Sequence, residues 1–203
     1  MTIFDIEDEY GEKIDTTQVE CTEQALVDKY ILPNDKVLEL GGRYGSVSCV
    51  INSKLNNPKN LVVVEPDSRV WDSLERNKIV NGCEFNIVKG FISDKKLGLY
   101  NLNDYSGYGT TSIENELSDI PIYSLQDIKE SYNLDFNVIV ADCEGCLKFF
   151  LSENPSILDN LRLFIFESDY PDVCNYNEIN EILLSKNFVN HLQGHQNVWI
   201  KNI

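Results

Sequence analysis

The residues best suited to chemistry begin with a glycine-rich turn in the first quarter of the chain. A short apolar run ending in an acid precedes the turn, and a helical pattern follows it, in the sequence Val37-Leu38-Glu39-Leu40-Gly41-Gly42-Arg43-Tyr44-Gly45-Ser46. Glycine adopts backbone angles that other residues avoid, and it lets a ligand lie against the main chain. The first turn of a helix also leaves backbone N–H groups unpaired. The pattern therefore predicts a nucleotide or nucleoside site.

The spacing of the glycines narrows the choice of ligand. A dinucleotide site needs G-x-G-x-x-G, whose second glycine makes room for a pyrophosphate. Arg43 and Tyr44 occupy that place in the two available registers, and no phosphate-binding G-x-x-x-x-G-K-[ST] motif occurs. A turn of the form Glu-x-Gly-x-x-x-Gly suits a ligand that presents its sugar, and S-adenosylmethionine is the candidate.

A second acid follows the next apolar run. Leu61–Val64 predicts a buried strand that places Glu65 at its carboxyl end, where Pro66 and Asp67 begin a helix. An acid at this point of an open α/β sheet commonly accepts hydrogen bonds from ribose hydroxyls. Taken alone, Glu65 could equally be a solvated strand end, and only the glycine turn one strand earlier favours ribose binding.

Three motifs in order resemble the FkbM family of S-adenosylmethionine-dependent O-methyltransferases. They are Glu39 to Gly45, Val64-Glu65-Pro66-Asp67, and Val140-Ala141-Asp142-Cys143-Glu144-Gly145. The resemblance runs from about Val37 to the C-terminus and implies that Glu39, Gly41, Gly42, Arg43, Tyr44, Gly45, Glu65, Pro66, Asp67 and Asp142 bind the cofactor. It also implies an adenine site at Phe91 and Ile92, for which ordinary core packing is the alternative.

Methyl transfer to an alcohol requires that the hydroxyl proton leave, so a carboxylate, a histidine or a metal should lie beside the acceptor. The catalytic candidates are Asp142, Glu144, Glu167 and His195. Carboxylates gathered at one sheet edge could raise pKa values or hold a divalent cation such as Mg²⁺ or Mn²⁺. The alternative for Glu144 is a helix N-terminal acid, and for His195 a structural role.

Positioning these residues requires alternating strands and helices. Strands are predicted near 36–40, 61–65, 84–89, 136–141 and 161–167, and helices over 16–31, from 45, over 69–81, 124–132 and 145–153. A terminal hairpin should join 188–192 to 198–201 through Gly194. Repeated β-α units predict a Rossmann-like class I methyltransferase fold, with a seven-stranded, mostly parallel sheet, helices on both faces and a C-terminal antiparallel hairpin.

Composition sets the broad class. The chain has 203 residues, 42% of them hydrophobic, and a formal net charge of −16. We expect one methyltransferase domain over 16–203, preceded by a mobile acidic arm over 1–15. No apolar stretch is long enough for a membrane span, and the acidic N-terminus is unlike a signal peptide, so we expect a cytoplasmic protein. The charge disfavours nucleic-acid partners and leaves sugars and other neutral hydroxyl compounds as acceptors.

Two further features leave alternatives open. Without a secretory signal, the six cysteines are expected to be reduced and mostly buried. The C-x-x-C formed by Cys143 and Cys146 would otherwise be redox-active or half of a zinc site. The loop 104–112 combines tyrosines, hydroxyls and glycines, which suits either acceptor contacts or a surface loop.

The sequence thus predicts an S-adenosylmethionine-dependent O-methyltransferase acting on a small molecule, with a sugar or glycan as the expected acceptor. Two alternatives remain. One is a catalytically weak or silent nucleoside-binding subunit on the same fold, and the other is a nicotinamide or nucleotide-sugar enzyme, against which the broken G-x-G-x-x-G pattern argues.

Overall fold

A computed structural model describes residues 3–101 and 110–202. Within these ranges the helices are α1 (Cys21–Tyr30), α2 (Ser46–Lys54), α3 (Trp71–Val80), α4 (Leu125–Tyr132), α5 (Leu147–Glu153), α6 (Ile157–Asn160) and α7 (Tyr176–Ser185). The strands are β1 (Val37–Leu40), β2 (Leu61–Glu65), β3 (Asn86–Lys89), β4 (Phe91–Ile92), β5 (Leu97–Asn101), β6 (Thr110–Glu114), β7 (Ile122–Tyr123), β8 (Val138–Ala141), β9 (Leu163–Glu167), β10 (Phe188–Leu192) and β11 (Gln196–Lys201).

Seven strands form the main sheet in the order β10-β11-β9-β8-β1-β2-β3. The β3, β2, β1, β8 and β9 strands run parallel, and β11 pairs antiparallel with both β9 and β10. This arrangement confirms the predicted seven-stranded sheet with its terminal hairpin. The carboxyl ends of the parallel strands meet along one edge, which is where ligands bind in open α/β sheets.

Alternating side chains divide the core between the two faces of the sheet. Leu38 and Ile139 face the side covered by α4 to α7, whereas Val37, Val63 and Val138 face α1 to α3. All of these side chains are buried. A strand with apolar groups on both faces is held between two helical layers, and its register is fixed because a shift by one residue would exchange the two sets.

Two small sheets lie outside the main one. β4 pairs parallel with β7, and β5 pairs antiparallel with β6. The segment from β4 to β7 connects β3 to α4 and covers the carboxyl edge of the main sheet. The predicted acceptor loop 104–112 lies in this segment. Residues 104–109 are outside the described residues, and 110–112 belong to β6.

The first helix begins later than predicted. Threonine capping predicted a helix over 16–31, but α1 begins at Cys21. The reason is local, because the Asp15 carboxylate accepts hydrogen bonds from the backbone and hydroxyl of Thr17 and forms a turn there. Glu20 then adopts a left-handed conformation with φ 53°.

The N-terminal segment, described from residue 3, packs on the rest of the chain, and the mobility expected for 1–15 stays a prediction. Ile6 is buried in the α1–α3 side of the core. The backbone N–H groups of Asp5 and Glu7 donate to the side-chain oxygens of Asn81 and Asn77, over 2.8 and 3.1 Å. Apolar and polar contacts to α3 thus hold the segment.

None of the helices in the described ranges has the length and apolar character needed to cross a bilayer.

Candidate functional site

The sheet register places acids side by side along the carboxyl edge. Leu40 of β1 is opposite Val64 of β2 and Ala141 of β8, and Ala141 is opposite Phe166 of β9. The residues that follow therefore form a row, which runs Glu65, Gly41, Asp142, Glu167 and then Gln196, the residue of β11 opposite Glu167. Because side chains alternate along a strand, Glu39, two residues before Gly41, lies on the same face of the sheet as Gly41.

An open pocket with about 1200 Å³ of empty space, part of it open to solvent, lies above this row. Its lining includes the predicted residues Glu39, Gly41, Gly42, Arg43, Glu65, Pro66, Asp67, Phe91, Ile92, Asp142 and Glu144. The sequence did not single out several others, among them Glu20, Glu23, Phe149 and Gln196. The predicted cofactor motifs therefore converge on one cavity.

Neighbouring protein atoms leave no space for a side chain at two glycines of the turn. A Cβ added to Gly41 would lie 1.8 Å from the backbone oxygen of Asp142, and one added to Gly42 would lie 2.2 Å from Val63. Gly41 also has φ 88°, which side-chain-bearing residues rarely adopt. This close approach packs the turns after β1 and β8 together. The packing of protein atoms, more than space for a ligand, therefore explains the glycines at these positions.

Two residues of the turn lie away from the pocket, although the sequence placed them at the cofactor. Tyr44 is buried in the core, and its hydroxyl donates to Glu9 while Arg43 lies over its ring. Gly45 faces Leu74, which a Cβ there would meet at 2.9 Å. Both residues lie directly before α2, where the chain turns back onto the domain, so their contacts are with the domain's interior.

Glu65 organises the loops around it. One carboxyl oxygen accepts from the backbone N–H of Arg43 at 2.7 Å and the other from that of Asp67 at 2.7 Å. Burial raises the pKa of Glu65 to about 7, although these two hydrogen bonds favour the ionised form. Each carboxylate oxygen has a second lone pair, so the group can still accept from a ligand hydroxyl.

Glu39 is a deeply buried acid of the pocket. It is 2% exposed, and its Oε2 atom has no hydrogen-bond partner among the described residues. Burial, together with the nearby charges of Glu20 and Glu65, raises its pKa to about 8. A buried carboxyl oxygen without a partner is unfavourable, so this site suits a ligand that brings a hydrogen-bond donor or a positive charge.

The catalytic candidates form a chain of contacts from the pocket to the surface. The Asp142 carboxyl hydrogen-bonds to Glu167, and burial, with this acid beside it, raises the pKa of Asp142 well above its usual range. Glu167 in turn contacts the Nε2 atom of His195 through Oε1, and the His195 side chain is 67% exposed. Asp142 and Glu144 line the pocket directly, whereas Glu167 and His195 stand behind Asp142.

Asp142 also belongs to a group of three neighbouring carboxylates. Asp142, Glu144 and Asp169 each offer an oxygen within 4.8 Å of the others. The Asp169 carboxyl also accepts from the Tyr176 hydroxyl at 2.9 Å. Oxygen ligands at this spacing are of the kind that Mg²⁺ and Mn²⁺ prefer. These acids follow the neighbouring parallel strands β8 and β9, whose carboxyl ends meet at one edge of the sheet.

The cysteine prediction was wrong for one pair. Cys143 and Cys146 form a disulfide, while Cys21, Cys49, Cys83 and Cys174 are free thiols. The turn between β8 and α5 brings the two Cα atoms to 5.4 Å, which lies within the range of a disulfide. The expectation of reduced thiols rested on the cellular compartment, which does not describe this local geometry.

Solved structures resemble this fold at low sequence identity. An O-methyltransferase from Bacillus cereus in complex with SAH is 14% identical, with a TM-score of 0.56 over 93% of this chain and 82% of that chain. A putative O-methyltransferase from Klebsiella pneumoniae is 14% identical, with a TM-score of 0.55 over 90% and 80%. Precorrin-6y C5,15-methyltransferase from Geobacter metallireducens is 10% identical, with a TM-score of 0.54 over 93% and 90%.

These likenesses concern the fold, since the identities are low. Neither a protein-family model nor a curated protein matches the sequence. The similar structures include several methyltransferases. The chain therefore has a Rossmann-like methyltransferase fold.

Proposed function

We propose that the chain is an S-adenosylmethionine-dependent O-methyltransferase, related to the FkbM family, that acts on a hydroxyl group of a small molecule. The observation that carries this proposal is the charge of the pocket. Seven carboxyl groups and a single guanidinium stand among its described lining residues. Such a cavity attracts a sulfonium cation and repels the pyrophosphate of a dinucleotide, which argues against the nicotinamide alternative.

The residues present fit the cofactor. The unpartnered Oε2 atom of Glu39 suits the ammonium group of the methionine moiety. Glu65 has lone pairs left for the ribose hydroxyls, and the buried side chains of Phe91 and Ile92 offer an apolar wall for adenine. Bound S-adenosylmethionine supplies an electrophilic methyl group, so the remaining task of the protein is to orient an acceptor oxygen and remove its proton.

Asp142 is the proposed proton acceptor. Its raised pKa makes it a stronger base than an exposed aspartate, because the strength of a base follows the pKa of its conjugate acid. Glu167 positions it by hydrogen bonding, and the exposed His195 connects Glu167 to solvent. A proton taken up at Asp142 has a short route out of the pocket through these groups.

The cluster of Asp142, Glu144 and Asp169 could instead hold a divalent cation that activates the hydroxyl. Removing metal ions with a chelator distinguishes the cation mechanism from the general-base mechanism.

A neighbouring groove offers space for the acceptor. It shares Ser112 and Phe149 with the pocket and is also lined by Lys95, Lys148 and Asp172. The ammonium groups of Lys95 and Lys148 lie 5.7 and 5.6 Å from the centre of the Phe149 ring. An aromatic ring with polar groups around it suits the apolar face and hydroxyl edges of a sugar, which with glycans is the acceptor class expected from the sequence.

Calorimetry with S-adenosylmethionine, S-adenosylhomocysteine and NAD⁺ tests the proposal. We expect both sulfur nucleosides to bind and NAD⁺ not to bind, and we expect the sulfonium form to lose more affinity in high salt because its interaction is electrostatic. Methyl transfer from labelled cofactor to a panel of sugars, glycans and other alcohols then tests the acceptor class. Binding of NAD⁺ with neither sulfur nucleoside bound would contradict the proposal. Cofactor binding without turnover on any acceptor would favour the silent subunit.

A further inference from the structure

The disulfide between Cys143 and Cys146 lies in the turn that carries the proposed catalytic acids. Both cysteines line the pocket, one directly after Asp142 and the other directly before α5. Neither side chain is fully buried. A dithiol that enters the pocket can therefore reach the bond, whereas the thiols of Cys49 and Cys174 are enclosed by the core.

The bond closes over two residues with unusual backbone angles. Glu144 has φ 53° and Gly145 has φ 86°. Glycine tolerates this region, but Glu144 has a Cβ and enters it at an energetic cost. The covalent bridge holds Glu144 in that conformation. Reduction removes the bridge, and the turn can then relax toward ordinary backbone angles.

Contacts on both sides of the turn would transmit such a change. The backbone oxygen of Asp142 packs so closely on Gly41 that no Cβ fits between them, which joins this turn to the glycine-rich one. On the other side, the Thr111 hydroxyl donates to the backbone oxygen of Glu144 at 2.9 Å. A shift at 143–146 therefore reaches the cofactor site through Gly41 and the wall of the pocket through β6.

We propose that Cys143 and Cys146 form a reversible redox switch for the site assigned above, and this inference rests on the proposed function. The disulfide form is the one that binds the cofactor well. A dithiol reductant attacks one sulfur to form a mixed disulfide, and its second thiol then displaces the protein thiolate. The reductant leaves as a disulfide, two electrons pass to the protein, and both cysteines become thiols.

A purely structural role explains the bond less well. In the chain-entropy account a disulfide stabilises more when it closes a longer loop, and this one joins residues only three apart. Its stabilising effect on the whole fold is therefore among the smallest that a disulfide provides. Its effect on the turn that holds Asp142 and Glu144 is direct.

The test compares oxidised protein with protein reduced by dithiothreitol, and counts alkylated cysteines by mass spectrometry to verify each state. We expect S-adenosylhomocysteine to bind about 5-fold or more weakly to the reduced form, and the affinity to return on reoxidation. The double variant Cys143→Ser, Cys146→Ser should bind like reduced protein and show no redox response. Cys21→Ser, at an exposed free thiol, is the matched control and should respond like the unmodified chain.

Equal affinities in verified oxidised and reduced protein would overturn the switch, and so would a response that persists in the double variant. Hydrogen exchange without ligand gives a separate measurement. Amides of 142–147 should exchange faster after reduction, and unchanged exchange would also overturn the proposal. Faster exchange with no nucleoside binding in either state would contradict the proposed function and leave the switch in place.

Discussion

Glu65 shows at the scale of one residue how structure and binding are combined. Its two oxygens hold the backbone of Arg43 and Asp67, so the same carboxylate fixes the glycine-rich turn and the start of the loop after β2. We expect Glu65→Ala to weaken S-adenosylhomocysteine binding by at least about 1.5 kcal/mol, because a charge-assisted hydrogen bond is lost. Calorimetry measures the effect.

Glu65→Gln is the matched variant. It keeps one carbonyl oxygen as an acceptor but cannot carry the charge, so its affinity should fall between those of Glu65→Ala and the unmodified chain. Circular dichroism verifies that both variants are folded. Unchanged affinity in folded Glu65→Ala would mean that the ribose is bound elsewhere.

Asp142 allows a test of the chemical step. Asp142→Asn keeps the shape of the side chain and removes its ability to take a proton, so kcat should fall by about 10²–10⁴-fold if it is the base. The substitution should leave the affinity for S-adenosylhomocysteine within a few-fold, and steady-state kinetics on a verified acceptor measures the loss. Loss of activity in EDTA that magnesium restores would support the cation version.

His195 and Glu167 serve as comparisons, because Glu167 contacts Asp142 from outside the pocket and His195 contacts Glu167. We expect His195→Gln to change the pH profile of kcat more than its maximum, since a relay residue affects proton release. Near-normal kcat in Asp142→Asn would contradict the assignment and direct the search to Glu144.

At the scale of elements, the turns after β1 and β8 are packed as one unit through Gly41. Gly41→Ala would place a methyl group against the Asp142 backbone, and overpacking of this kind typically destabilises by about 1–3 kcal/mol. We expect a lower Tm and weaker S-adenosylhomocysteine binding, measured by thermal unfolding and calorimetry.

Gly11→Ala is the control for that substitution. Gly11 has φ 82°, close to the 88° of Gly41, but a Cβ there would meet no atom within 4 Å. The backbone strain is therefore similar in the two variants, while the steric contact is present in only one. Equal losses of stability would show that the contact with Asp142 is unimportant.

The elements found from sequence were those with strong local signals. The apolar runs predicted β1, β2, β8 and β9, and α4 is capped by Ser124, which forms a capping box with Asp127. The α7 helix was not predicted, although Asn175 caps it. The start of α1 was predicted too early, because Asp15 forms a turn that competes with helix formation.

The sequence located those residues of the candidate site that lie at the ends of predicted strands. Glu39, Glu65 and Asp142 each follow an apolar run, so their meeting at one edge follows from a parallel sheet. Glu20 and Glu23 lie at the start of α1 and reach the pocket through helix packing, for which the sequence carries no signal. The disulfide was missed because positive φ at Glu144 cannot be anticipated from residue type.

At the scale of the molecule, a chain of net charge −16 gathers several acids in one cavity. The folded pKa of Glu39 is about 8, above its ordinary value of 4.5. The stability associated with its protonated form is therefore full below about pH 4.5 and is lost as the pH rises through 8. We expect the free energy of unfolding to fall by on the order of 2 kcal/mol between pH 5.5 and 8.5, which denaturant titration measures.

Glu39→Gln should reduce this pH dependence and raise stability at pH 8.5, because a neutral amide replaces the buried charge. A saturating cationic nucleoside should do the same in the unmodified chain, by compensating the charge instead of removing it. A pH dependence that is the same with and without Glu39 would assign the effect to other groups.

The segment from β4 to β7 leaves and rejoins the domain at adjacent points, since Phe91 is opposite Ile122 and Ile92 is opposite Tyr123. An excursion whose ends are neighbours can be lengthened, shortened or exchanged without moving the strands that carry Glu39, Glu65 and Asp142. It also supplies Thr110 and Ser112 to the pocket and borders the groove at Phe149. Evolution could therefore alter the acceptor of the proposed methyl transfer by replacing the stretch between β4 and β7, while the proposed adenine wall in β4 stays in place, and laboratory grafting of that stretch could follow the same route.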